Sequence, residues 1–298
     1  MPPSSGTHLR YACLDHWRGF ACLSVMLFHC SNPLAAVQSS LHPWAAACKS
    51  LASCGWFGVH LFFVISGYCV AAKIQRMIEL GENPGSFLLD RFFRIFPAYW
   101  AALGLAVLIA FLASPFSSGN LEDSLPDGIR GLLADVFLVN PYFQLPPTLL
   151  VSWSLVHELA FYFLAASAFL IAARLNRPRL AGCFILATAA LALAPGSLPP
   201  FLIGLKFWPE FLCGAAVLMH VRDRVRHGST AWLWALFPLV LAAGNLSPLA
   251  GSLRVTTLPA AACFALLLMA LHPFDRPISQ LRMLKWLAWF GASRTRFT

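Results

Sequence analysis

Ile95–Asn120 reads IFPAYWAALGLAVLIAFLASPFSSGN, a run without one Asp, Glu, Lys or Arg, and it decides the class of fold. About 20 consecutive apolar residues are enough for a helix to cross the ~30 Å hydrocarbon core of a bilayer. Leu180–Leu205 and Ser229–Leu253 repeat the pattern. Of the 298 residues 59% are hydrophobic and only 11% charged, against roughly 25% charged in soluble domains. A soluble fold of this length cannot hide so much apolar surface.

With Pro, Gly and charge clusters taken as breaks, the chain reads as all-α, a polytopic transmembrane helix bundle of about 8 full spans. The spans are expected near 13–31, 51–72, 95–114, 149–173, 180–194, 201–219, 231–246 and 255–271. A ninth begins near Trp286 and stops after about 10 Å of rise, so the chain reads as C-terminally incomplete. A weaker apolar piece at 129–143 contains Arg130 and Asp135 and reads as interfacial or re-entrant. Met1–Arg10 with Pro2 and Pro3, followed by Asp15 and Arg18, is unlike a cleavable signal peptide, and the N-terminus is expected to be retained.

The net charge of +9 does not form one patch, and no nucleic-acid partner is expected. The basic residues instead mark alternate loops: Lys73, Arg76, Arg91 and Arg94; then Arg174, Arg177 and Arg179; then Arg222, Arg224 and Arg226; then Arg276, Arg282 and Lys285. The positive-inside rule makes these loops and the N-terminus cytoplasmic, and the loop 115–148 external. Most of the nine cysteines lie in apolar segments and read as small hydrophobes; Cys48 and Cys54 are a pair only if their loop faces an oxidising compartment. No metal-ligand spacing, nucleophile elbow or phosphate loop is present, so neither a metal nor a tightly bound cofactor is expected.

Ionisable groups inside a bilayer are expensive and therefore informative. Arg18 and His29 are separated by ten residues, an offset of eleven that returns to nearly the same helix face about 16 Å further on. Asp15 lies one turn from Arg18 and is placed to pair with it. His29 reads equally as a reactive group or as a structural histidine. Arg91 and Arg94, one turn apart beside a helix expected to start near Ile95, present two guanidinium forks in one direction, which suits phosphate. Taken alone they also serve as a topology anchor. In the segment Trp153–Tyr162, Ser154, Glu158 and Tyr162 share one face, and counting back from Arg174 puts Glu158 about 24 Å above the cytoplasmic boundary. Ser66-Gly67 reads as a notch for a neighbouring helix or a ligand. Lys206 and Glu210, at i, i+4, read as mutual neutralisation.

Taken together these segments resemble the acyltransferase 3 family, bacterial membrane acyltransferases that O-acylate surface polysaccharides, lipopolysaccharide and related glycans. The resemblance rests on Leu14-Asp15-x-x-Arg18-Gly19 with His29, on Gly58-Val59-x-Leu61-Phe62-Phe63-Val64-Ile65-Ser66-Gly67-Tyr68, on Arg91-x-x-Arg94-Ile95-x-Pro97 and on Trp153-Ser154-Leu155-x-x-Glu158-x-x-Phe161-Tyr162. It implies one acyltransferase 3 transmembrane domain over 1–298 in the bacterial inner membrane. It further implies acyl-coenzyme A, with acetyl as the expected group, as co-substrate, and a glycan or glycolipid as acceptor. His29 would be the catalytic histidine, acting as general base or acyl carrier, and Arg18 its partner. Arg91 and Arg94 would hold the donor phosphates, and the acceptor hydroxyl would approach from the side of Glu158. Position 60, commonly acidic in relatives, is His60 here. The rival expectation is a proton-coupled transporter or flippase using the same buried His, Arg and Glu, although no paired discontinuous helices support it.

Overall fold

In hydrocarbon a backbone has no partner but itself, so apolar runs of this length coil into helices. The computed structural model describes residues 11–31, 42–113, 126, 128–174, 176, 178–193, 199–226, 234–239 and 257–291, and among them every regular element is helical. In chain order these are α1 (Leu14–Ser31), α2 (Pro43–Ser53), α3 (Phe57–Leu80), α4 (Pro84–Ala113), α5 (Gly128–Phe137), α6 (Asn140–Phe143) and α7 (Trp153–Arg174). They continue with α8 (Pro178–Leu193), α9 (Trp208–Arg226), α10 (234–239), α11 (Leu258–Leu271), α12 (Asp275–Gln280) and α13 (Lys285–Gly291).

Among the described residues five helical stretches are long and apolar enough to cross a membrane: Pro43–Leu80, Pro84–Ala113, Leu150–Arg174, Phe201–Asp223 and Leu258–Gln280. The chain is thus an integral, multi-pass membrane protein. The eight full spans expected from the sequence are not all of this kind. α1 matches 13–31 but carries Asp15, His16, Arg18 and His29, and α8 has only 16 residues. Most of the span expected at 231–246 lies outside the described residues. α4 begins at Pro84, not near Ile95, because Arg91 and Arg94 do not interrupt a helix, whereas proline is favoured in a first turn. Cys48 and Cys54 both carry free, exposed thiols.

The described residues fall into two compact units: Met1–Ala72 with Pro209–Thr298, and Lys73–Trp208. In the first, the core is built from Leu61, Val64, Ile65 and Tyr68 of α3, Cys213, Ala216 and Val217 of α9, and Ala261, Ala265 and Leu268 of α11. The α3–α9 contact is backbone on backbone. A β-carbon on Gly67 would collide with the Phe211 carbonyl, and one on Gly214 with the Val64 carbonyl. The notch read at Ser66-Gly67 is therefore filled by a helix, the arrangement by which small residues let membrane helices approach. The same device seats α13 on α1, where Gly19 faces the Leu287 carbonyl and Gly291 the Asp15 carbonyl. The start of α1 is fixed by Asp275, whose carboxylate accepts the backbone N–H groups of Ala12 and Cys13, the latter at 2.7 Å.

In the second unit α4 and α7 meet at one end, where Arg174 donates to the Asn83 side-chain oxygen at 3.3 Å. At the other end of α7 the tight turn Pro200–Leu205 packs its Gly204 against Ala160 and the Tyr142 hydroxyl.

Because hydrocarbon gives helices no hydrophobic reason to associate, the α3–α9 pair depends on close approach. Gly67→Ala is expected to cost about 1–3 kcal/mol through overpacking. Gly104→Ala, with open space around its β-carbon, should leave stability unchanged. Thermal unfolding of the detergent-solubilised protein distinguishes the two.

Candidate functional site

α1 is continuous from Leu14 to Ser31, so the stripe joining Arg18 to His29 exists as read. Arg18 is gripped from two sides. One guanidinium nitrogen donates to the Asp15 carboxylate at 2.9 Å, and the other to the Cys69 sulfur of α3 at 3.0 Å. The carboxylate is a charged acceptor and the thiol a weak one, so the second arm is held loosely. The His29 side chain is exposed and stands edge-on to Phe28, with ring centres 5.2 Å apart. Ser66 is half-buried next to the Gly67 contact.

Above that contact lies a pair the sequence reading did not find. His60 Nδ1 and a Glu210 carboxylate oxygen are 2.7 Å apart, with both side chains almost fully buried. Trp56 stands edge-on to the imidazole. Glu210 thus has His60 as its partner, and the expected neutralisation by Lys206 is corrected: Lys206 is exposed, its ammonium 5.3 Å from the Phe207 ring centre. Proximity in sequence favoured Lys206, but the packing of α9 on α3 brings His60 to Glu210 instead. The signal that a distant partner was needed was a carboxylate inside an apolar run.

In the second unit the structure brings together Arg91, Tyr162 and Glu158. The Arg91 side chain is buried, and its guanidinium carbon lies 5.1 Å from the Phe87 ring centre and 5.3 Å from that of Tyr162. Among the described residues its Nε has no hydrogen-bond partner. The Tyr162 hydroxyl donates to Glu158, which is half-buried. Arg94 is half-buried one turn along, close enough for its charge to act on the Tyr162 hydroxyl. Helix counting had set Glu158 far above the arginine pair. The distance closes because α4 starts eleven residues earlier than expected (95 minus 84), carrying Arg91 up its own length, and because the long arginine stem adds reach. Ser154 does not join the cluster and donates to the Val151 carbonyl. Trp153 is partly exposed and packs on Phe207 and His157.

Two more buried polar groups escaped the reading. His157, adjacent to Glu158, is enclosed by Trp153 and Phe207 with its Nδ1 unpartnered. Asp135, fully buried, accepts from the Asn140 amide, the Thr148 backbone N–H and the Thr148 hydroxyl. Among the described residues no group of His, Cys, Asp and Glu is arranged to hold a metal.

The four motifs thus rest on helices, with Arg18 and His29 on one and the Arg91–Tyr162–Glu158 contact between two others. The sequence model of the acyltransferase 3 family, described as an acyltransferase domain, matches residues 11–293. The chain belongs to this family. The exopolysaccharide production protein ExoZ of Rhizobium meliloti strain 1021 is 30% identical over 135 residues, which cover 44% of this chain and 39% of that protein. The match therefore spans about two fifths of that relative's length. No solved structure matches the chain significantly.

Breaking a buried pair leaves one partner uncompensated, at about 3–5 kcal/mol, whereas replacing both by apolar residues is often neutral. His60→Leu and Glu210→Leu are each expected to lower thermal stability in detergent, and the double replacement to recover most of the loss. A double replacement as damaging as the sum of the singles would mean that the two side chains act independently.

Proposed function

We propose that the protein is a bacterial inner-membrane O-acyltransferase that moves an acyl group, acetyl in the simplest case, from cytoplasmic acyl-coenzyme A onto a hydroxyl of a polysaccharide or lipid-linked glycan on the other side. Family membership over residues 11–293 supports acyl transfer, and the name of the exopolysaccharide production protein supports a polysaccharide acceptor. The observation that carries the reading is the Arg18 grip on the same face of α1 as His29. A transporter lined by the same groups has no equivalent need for one guanidinium arm resting on a thiol.

In this scheme the start of α1 and the first three turns of α4, which hold Arg91 and Arg94, lie towards the cytoplasmic side. There a guanidinium with an unpartnered Nε, beside a second one a turn away, is a phosphate-binding arrangement suited to the coenzyme A end of the donor. The transfer step itself is assigned to the Arg18–His29 stripe of α1. His29 accepts the proton of the acceptor hydroxyl, whose oxygen attacks the thioester carbonyl. The carbon–sulfur bond breaks, and coenzyme A leaves as a thiolate that takes up a proton. Glu158, held by Tyr162, supplies an acceptor for further sugar hydroxyls. The N-terminus is cytoplasmic in this scheme.

Membranes containing the protein, incubated with radiolabelled acetyl-coenzyme A and exopolysaccharide, should label the polysaccharide. Glycan movement that needs no donor would favour transport instead. His29→Ala should abolish labelling at near-normal membrane abundance, since the exposed imidazole holds no helix in place. Wild-type turnover by that variant would remove His29 from the mechanism.

Arg94→Ala should raise the apparent donor KM with little change in the acceptor KM. A lost charge-assisted phosphate contact is worth about 1.5–3 kcal/mol, or about 10- to 100-fold. Arg91→Ala should do the same and also lower stability, because the buried guanidinium fills space between Phe87 and Tyr162. Steady-state kinetics in which the acceptor KM alone rises would place both arginines elsewhere.

A further inference from the structure

α5 ends at mid-height on α4. The Tyr99 hydroxyl donates to the Asp135 carbonyl at 2.8 Å, and the Trp100 indole N–H to the Val136 carbonyl at 3.0 Å. α4 continues from Trp100 to Ala113, a further 13 residues (113 minus 100), or about 20 Å. All 13 are apolar, and Leu105, Leu108, Ile109, Phe111 and Leu112 are each more than half exposed. In a helix that crosses the membrane such side chains face lipid. The level of Trp100, and with it the end of α5, therefore lies inside the hydrocarbon.

α5 itself has two faces. Gly131, Ala134 and Asp135 are buried, while Ile129, Leu132, Leu133 and Phe137 are exposed, within an arc of about 140° that holds no hydrogen-bonding side chain. Arg130, in the first turn, lies at the rim of this arc, where a long cationic side chain can extend towards the membrane surface. Beyond α5 the chain reverses, with Leu138 and Gln144 in the left-handed region at φ 56° and 57°. Irregular backbone at this depth must find its partners within the protein. It does: Asp135 takes the Thr148 N–H, Leu138 and Val139 donate to the Asp135 and Ala134 carbonyls, and Leu145 donates to that of Asn140.

We propose that residues 128–149 form a re-entrant arm whose exposed face, Ile129, Leu132, Leu133 and Phe137, is seated among phospholipid acyl chains. Asp135 is the internal lock that lets the turn exist at that depth. At the depth of Trp100 an exposed apolar side chain meets acyl chains, as those of the outer half of α4 do.

The test places p-benzoylphenylalanine at Leu133 or Phe137 of the full chain, and at Leu108 of α4 as reference. The protein is irradiated in phosphatidylethanolamine–phosphatidylglycerol vesicles and the adducts are identified by mass. Acyl-chain adducts are expected at all three positions. Joining at 133 and 137 to a second copy or to the same chain, or no lipid adduct there while Leu108 gives one, overturns the proposal. Leu133→Asp should also reduce membrane abundance several-fold, while Leu133→Met leaves it unchanged; equal abundance of the two would overturn it as well.

Discussion

Hydrocarbon solvates neither a peptide group nor a charge, and that single constraint accounts for the helices, their contacts and the placing of their polar side chains. Arg18 is matched by Asp15 and Cys69, Glu210 by His60, and Asp135 by Asn140 and Thr148. Each match ties two elements together: α1 to α3, α3 to α9, and α5 to the segment leading into α7. Burial of apolar surface adds little here, because lipid tails are as apolar as leucine. Packing and polar pairing are what remain, which is why glycine recurs wherever two backbones touch.

The same constraint sets what can be read from the sequence. Local rules were sufficient for Leu150–Arg174, because helix formation in lipid depends chiefly on a long apolar run, and for α1, whose expected bounds 13–31 became Leu14–Ser31 although Asp15, His16, Arg18 and His29 break its apolar pattern. Treating Arg91 and Arg94 as breaks misplaced the start of α4, since charge interrupts a hydropathy pattern without interrupting a helix. His60 and Glu210 lie 150 residues apart, and no periodicity links two positions whose only relation is that α3 and α9 pack together. α5 carries one exposed and one buried face within ten residues, so neither a span nor a soluble helix was legible there.

The candidate site divides in the same way. The Arg18–His29 stripe is a property of one helix and followed from counting. The Arg91–Tyr162 contact is a property of two helices and of side-chain length: a guanidinium reaches several ångströms from its own backbone, so a depth assigned to an arginine by its α-carbon is a poor guide to where its charge acts. Tyr162 connects the parts, presenting its ring to Arg91 and its hydroxyl to Glu158.

How the two arginines are held is the more informative comparison. A guanidinium that only braces a fold is best satisfied by a bidentate carboxylate, which fixes both arms. Among the described residues neither Arg18 nor Arg91 has that partner. Arg18 gives one arm to Asp15 and leaves the other on a weak sulfur acceptor, while Arg91 lies against two aromatic rings with its Nε unused. Aromatic faces and a thiol stabilise a cation without saturating its donors. Both cations are thereby kept in the apolar helices at tolerable cost with part of their donor capacity left over. The proposed role, binding a charged donor in each cycle and releasing it afterwards, would use those remaining donors, whereas a purely structural contact would have no need to leave them.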